Sequence, residues 1–193
     1  MRSGWFQPCT FRNLPLSFSG GKERGLRFGF IASSDTHVGL AGNCTRPDFN
    51  ISFSQWYFRA GNRPPGPGVA AMYLEELTRE AVFEAMRARR VYAVTGSRIV
   101  LDVRAGGHFM GSLVRSDGPV PFSIEVKGRA PIHSIEVVKN GRTVGTFSDT
   151  GTQAEVEYTD ERREREEDYI YVRVLQRDAH MAWSSPVWIS GRT

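Results

Sequence analysis

The sequence predicts an α+β chain in which an α/β segment is followed by an antiparallel β-sandwich-like domain. Three observations carry this. Phe28–Ser33 is a short apolar run without polar alternation, which suits a strand covered on both faces. A helical stripe through Leu74, Leu77, Ala81 and Ala85 follows it. From about Ile99 the pattern changes to short alternating runs separated by turns, the mark of a sandwich or barrel.

In chain order, residues 1–25 are rich in Gly, Pro and Ser and carry neither helical nor strand periodicity. Phe28–Ser33 then ends directly in Ser34-Asp35-Thr36-His37. Val38 to Val69 is a long segment broken by Gly39, Gly42, Pro47, Gly61 and the Pro64–Gly68 cluster. A connection of this length is more often functional than merely connective. Helical character begins around Ala70. Thr78 offers a second, cleaner start, with Glu80 in the first turn and Arg87, Arg89 and Arg90 at the C-terminal end. Val91–Thr95 is β-prone and stops at Gly96.

Seven alternating runs follow: Ile99–Val103, Pro121–Lys127, Ser134–Lys139, Arg142–Phe147, Ala154–Tyr158, Tyr169–Leu175 and Pro186–Ile189. Asn140-Gly141 between two of them is the strongest short hairpin signal. The chain therefore divides into an irregular segment 1–25, an α/β segment 26–98 and a β-sandwich-like domain 99–193.

Composition narrows the classes of function. The net charge is +4, from 25 Lys and Arg against 21 Asp and Glu. Only Lys22, Lys127 and Lys139 are lysines, and acids are interspersed with the arginines, as in Asp160–Asp168. A nucleic-acid binder segregates its positive charge, so no nucleic acid is expected as a partner. No stretch is apolar enough to span a bilayer, and no membrane is expected. Cys9 and Cys44 form no metal-type pair, and a bridge between them stays open.

Asp35 and His37 are the candidate metal ligands. They follow an apolar run at the position where α/β folds place their chemistry. In extended backbone, residues two apart point the same way, so a carboxylate oxygen and an imidazole nitrogen could share one metal. Against this, a strand-end Asp often caps a turn and a single His is usually structural. No catalytic residue and no residue binding an organic cofactor is assigned.

Three stretches carry a resemblance to a known family. Phe28–His37 resembles the last metal-binding motif of the PHP superfamily, named for polymerase and histidinol phosphatase. Glu76–Ile99, and Tyr171–Asp178 with Met181–Ile189, resemble an uncharacterised bacterial branch of it. The resemblance runs from about Leu26 to Ile189, with the motifs in the expected order. It implies that 26–98 is the C-terminal part of a PHP-like hydrolase domain, a remnant of a distorted (β/α) barrel with divalent metals (Zn, Mn or Fe) at its mouth. It implies hydrolysis of small-molecule phosphoesters by metal-bound hydroxide. By position, Asp35 and His37 match two of the motif's metal ligands.

The sequence departs from that family in one respect. The other ligands, beginning with a His-x-His strand, are absent, and His108, His133 and His180 lie in the β region beyond the motif. One carboxylate and one imidazole cannot fill a two-metal site, so the chain is expected to be inactive alone, and whether it binds any metal by itself stays open.

The alternative is a non-catalytic sandwich module that binds a partner protein or a glycan. Trp183 and Trp188 could stack on a sugar, although buried tryptophans are commoner. Apolar surface left by the missing barrel would allow self-association.

Overall fold

The computed structural model describes residues 26–33, 68–148 and 151–191. They form two open β-sheets and one short helix, and no barrel closes among them. The strands are β1 (Val69–Met72), β2 (Val91–Val94), β3 (Val100–Ala105), β4 (His108–Phe109), β5 (Leu113–Arg115) and β6 (Val120–Lys127). They continue as β7 (Ile132–Lys139), β8 (Arg142–Ser148), β9 (Gln153–Asp160), β10 (Glu167–Gln176), β11 (Met181–Ser184) and β12 (Val187–Ser190). Helix α1 (Arg79–Arg87) lies between β1 and β2.

The smaller sheet is antiparallel, in the order β4-β3-β6-β9. The larger runs β1-β2-β11-β10-β12-β5, with β7 on the other edge of β10 and β8 beyond β7. One pair departs from the antiparallel expectation: β12 and β5 run parallel. Strands from both sides of Ser97 share the larger sheet, because Val94, Ala93 and Tyr92 face Ala182, Trp183 and Ser184 across β2 and β11.

Period-two alternation explains the layers. In β6 every second residue is buried, and Phe122, Ile124 and Val126 meet Leu101 and Val103 of β3 on the inner face. Against them stand Ile135 and Val137 of β7 and Ile170, Val172 and Val174 of β10. The larger sheet also buries its other face. The intervening residues Tyr169 and Tyr171 of β10 join Ala93, Val138, Trp183 and Trp188 in an aromatic cluster capped by Phe30. A strand apolar on both faces reads as a continuous run, as β2 and much of β10 do.

Two expectations are corrected here. Val69–Met72 is strand rather than the start of a helix, because its backbone pairs in register with Val91–Val94. A four-residue apolar run cannot be assigned by periodicity, and tertiary pairing decides it. The helix begins at Arg79 with Thr78 as its cap, whose Oγ1 accepts from Ala81 N at 3.2 Å. The second correction concerns Phe28–Ser33. It carries no regular secondary structure, and it is covered unevenly, with Gly29 close against Ser185 and Val91. Phe28, Phe30 and Ala32 meet the aromatic cluster while Ile31 stays 56% exposed.

Candidate functional site

Asp35 and His37 lie outside the described residues, as do Cys9 and Cys44. What the structure does show is how the chain leading to them is held. Phe30 N donates to Ser185 Oγ at 3.0 Å, and Ser185 Oγ in turn donates to Val91 O. The Phe30 ring meets Tyr171 edge-on, with centroids 5.4 Å apart. Arg27 forms a two-pronged pair with Glu167, its Nη2 2.6 Å from Oε2. At the far end Ser33 meets Gly68, where an added Cβ would lie 2.7 Å from Ser33 O. Only glycine allows two backbones so close.

The described residues offer no second set of ligands. No group of three or more His, Cys, Asp or Glu among them is arranged to hold a metal. His133 is exposed, and so is His108, which sits in β4. His180 is half-buried, its Nδ1 within hydrogen-bonding distance of Thr95 O and of Thr95 Oγ1. That ring ties the start of β11 to the end of β2. Trp183 and Trp188 are buried at 3% and 1% exposure, with the Arg89 guanidinium over Trp188, so they present no stacking platform to a sugar.

One polar cluster was not anticipated as such. Lys139, at the end of β7, is buried with Nζ 2.7 and 2.8 Å from the two carboxylate oxygens of Asp160 and 3.2 Å from Asp168 Oδ2. The same nitrogen donates to Arg162 O. Asn140 donates to Asp168 Oδ1 at 2.7 Å, and Glu164 N donates to Asp168 Oδ2 at 2.7 Å. Asp160 ends β9 in one sheet while Lys139 and Asp168 belong to the other, so the cluster fastens the two sheets together.

Burial pushes the Asp160 carboxyl above its ordinary value, although Lys139 pulls the other way. Burial also acts against the Asp168 carboxylate, but hydrogen bonds from Asn140, Glu164 N and Lys139 prevail and hold its pKa low. For Lys139 desolvation opposes the charge, and the two carboxylates outweigh it and raise its pKa. Four oxygens from Asp160, Asp168 and Arg162 surround the three protons of the ammonium, and while it stays charged it has no lone pair for a nucleophile or base. The arrangement is a structural clasp.

Its sequence signal was the run Asp160–Asp168, which reads as a solvated hairpin tip or a short exposed helix. The two ends of that run are instead buried, at 5% and 0% exposure. A buried carboxylate marks the position of a buried cation, and Lys139 beside the Asn-Gly turn supplies it.

Comparison with known proteins places this framework. Residues 22–125 match the family described as "Protein of unknown function (DUF3604)". The chain belongs to the DUF3604 family. Its relatives include an uncharacterized protein of Chlamydia muridarum, 30% identical over 86% of this chain and 28% of the relative. An uncharacterized protein of Chlamydia pneumoniae is 31% identical over 88% of this chain and 28% of its own length. A third, from Chlamydia trachomatis, is 31% identical over 86% and 28%. The chain thus spans little more than a quarter of the curated relatives it matches. No solved structure matches it. The matched stretch 22–125 contains Asp35, His37 and α1, and it runs on into β6 of the smaller sheet.

Proposed function

We propose that this DUF3604 chain is the C-terminal portion of a PHP-like metal-dependent hydrolase of phosphoester type. On this reading Asp35 and His37 are two ligands of a site built mostly from sequence outside it. One observation carries the reading. Phe28–Ser33, which leads into Asp35 and His37, is anchored on its Phe28/Phe30/Ala32 side and bare at Ile31. An apolar segment with Ile31 left bare fits a barrel strand whose neighbours are missing. That the chain spans 28% of its relatives supports the same view.

The residues present do not amount to a two-metal centre. Two donors fall short of the ligand count such a centre needs, and no further set stands among the described residues. The role left to this chain is to hold the approach to Asp35 and His37 rigidly through Phe30, Ser185 and Arg27. The glycan-binding alternative loses its main support, because Trp183 and Trp188 are buried.

The test compares hydrolysis of a generic aryl phosphate, with Mn²⁺ or Zn²⁺, by this chain and by the full-length Chlamydia pneumoniae relative. The expected result is metal-dependent turnover by the relative, abolished by alanine at the positions aligned with Asp35 and His37, and none above background by this chain. An inactive relative, or activity that survives both substitutions, would sink the reading. Turnover by this chain that is lost in His37→Ala would show instead that the site is complete here.

A further inference from the structure

Among the described residues, the large apolar side chains left in solvent are unevenly distributed. Leu26, Ile31, Leu77, Phe83 and Met86 all precede residue 90, and only Val100 and Val144 follow it. The sandwich has covered its apolar residues, and the segment before it has not. Helix α1 shows this most clearly. It packs inward through Ala85, with Ala81 and Val82 half-buried, while Phe83 is 58% and Met86 45% exposed. Three residues apart, Phe83 and Met86 are neighbours on the outward side. A helix on a finished surface carries polar residues there.

Helical spacing also sets the border of that face. Arg79 lies four residues before Phe83, Glu80 three before it and Arg87 four after it, all exposed. The Arg87 guanidinium sits 5.8 Å from the Phe83 ring centre. An aromatic ring and a methionine bordered by charged side chains is the composition of an interface centre. With Arg79, Arg87, Glu80 and Glu84 all exposed, the border carries both signs, and the occupant needs an apolar patch with polar residues around it. Most of each curated relative lies outside the part this chain matches, and α1 lies inside the matched stretch 22–125.

We propose that the Phe83–Met86 face of α1 is the seat for the remainder of the family's chain, which covers it with an apolar surface. This rests on reading the chain as one portion of a larger hydrolase, yet its test needs neither metal nor substrate. Hydroxyl-radical footprinting would compare this chain with the intact Chlamydia pneumoniae relative, both in chelator. Phe83 and Met86 should be labelled readily here, with loss of labelling at the aligned positions of the relative.

Glutamate at those aligned positions should lower the relative's melting midpoint, whereas Phe83→Glu and Met86→Glu should leave this chain's midpoint unshifted. Equal labelling in both proteins would overturn the proposal, as would a relative indifferent to glutamate. Labelling of Phe83 that falls as this chain is concentrated would also overturn it, by making a second copy the occupant. Protection without hydrolysis would refute the hydrolase reading and leave the seat standing. Hydrolysis without protection would do the reverse.

Discussion

At the scale of single residues the clearest physics lies in the Lys139 clasp. Two carboxylates and one ammonium, all at 5% exposure or less, have left water together. Such a group is stabilising only while it is complete, because the members left behind by a deletion stay charged and buried. Lys139→Met is therefore expected to cost about 3–5 kcal/mol at neutral pH, read from urea unfolding.

The pH dependence follows from the signs. Lys139 lowers the pKa of both carboxyls, so its loss raises both in the folded state. A carboxyl whose folded pKa is raised gives stability back as pH falls. In the parent, by contrast, Asp168 sits below its ordinary value of 3.8, and its contribution is present above that value and lost as pH falls through the lower folded one. The deficit of Lys139→Met should thus narrow as pH falls toward 3.8. It should narrow again at high pH. The folded pKa of Lys139 lies above 10.5, so the parent's gain is complete below that value and is lost as pH rises through the folded one. A deficit constant from acid to alkali would refute the clasp.

At the scale of elements, the contact between α1 and the sandwich turns on one glycine. Gly111, between β4 and β5, has φ of +87°, and an added Cβ would lie 2.5 Å from Arg89 O and 2.6 Å from Ala88 O at the end of α1. Arg89 Nε returns the contact by donating to Gly111 O at 2.8 Å. Gly107 also has positive φ, at +81°, but nothing lies within 4 Å of its would-be Cβ. Gly107→Ala should cost about 1–2 kcal/mol, the backbone term alone. Gly111→Ala should cost more, since backbone must also move. Equal losses in thermal unfolding would show that α1 yields freely.

Which elements were legible follows the same physics. Each of the seven alternating runs overlaps an observed strand, and Asn140-Gly141 makes the tight turn, both residues at positive φ. Half-buried antiparallel strands write their period into the sequence. β1, β4, β5 and β11 did not, being four residues or fewer and held by pairing rather than by pattern. The candidate ligands Asp35 and His37 were legible only as a motif, and they lie outside the described residues.

At the scale of the whole molecule the question is what folds together. Sequence texture changes near Ser97, yet the larger sheet takes β1 and β2 from before that point and β10, β11 and β12 from after it. β2 pairs with β11, Tyr92 and Val94 enter the core between the sheets, and the Tyr92 hydroxyl donates to Ile99 O at 3.1 Å. Residues 99–193 made alone would lose all of this. Burial of Tyr92 and Val94 would go, at about 1.5–3 kcal/mol for each large side chain. The β11 edge would stand open beside Trp183, an apolar template for strand pairing.

Domains of this size are stable by only about 5–15 kcal/mol, so such losses matter. The fragment is expected to melt well below the intact chain or to aggregate. The intact chain should unfold in a single transition seen alike by near-UV and far-UV circular dichroism. The near-UV signal is informative because Trp183 and Trp188 pack beside Ala93 of β2. A 99–193 fragment that kept the parent's near-UV spectrum and its melting midpoint would show that the sandwich is complete without β1 and β2, and that the sheet merely borrows them.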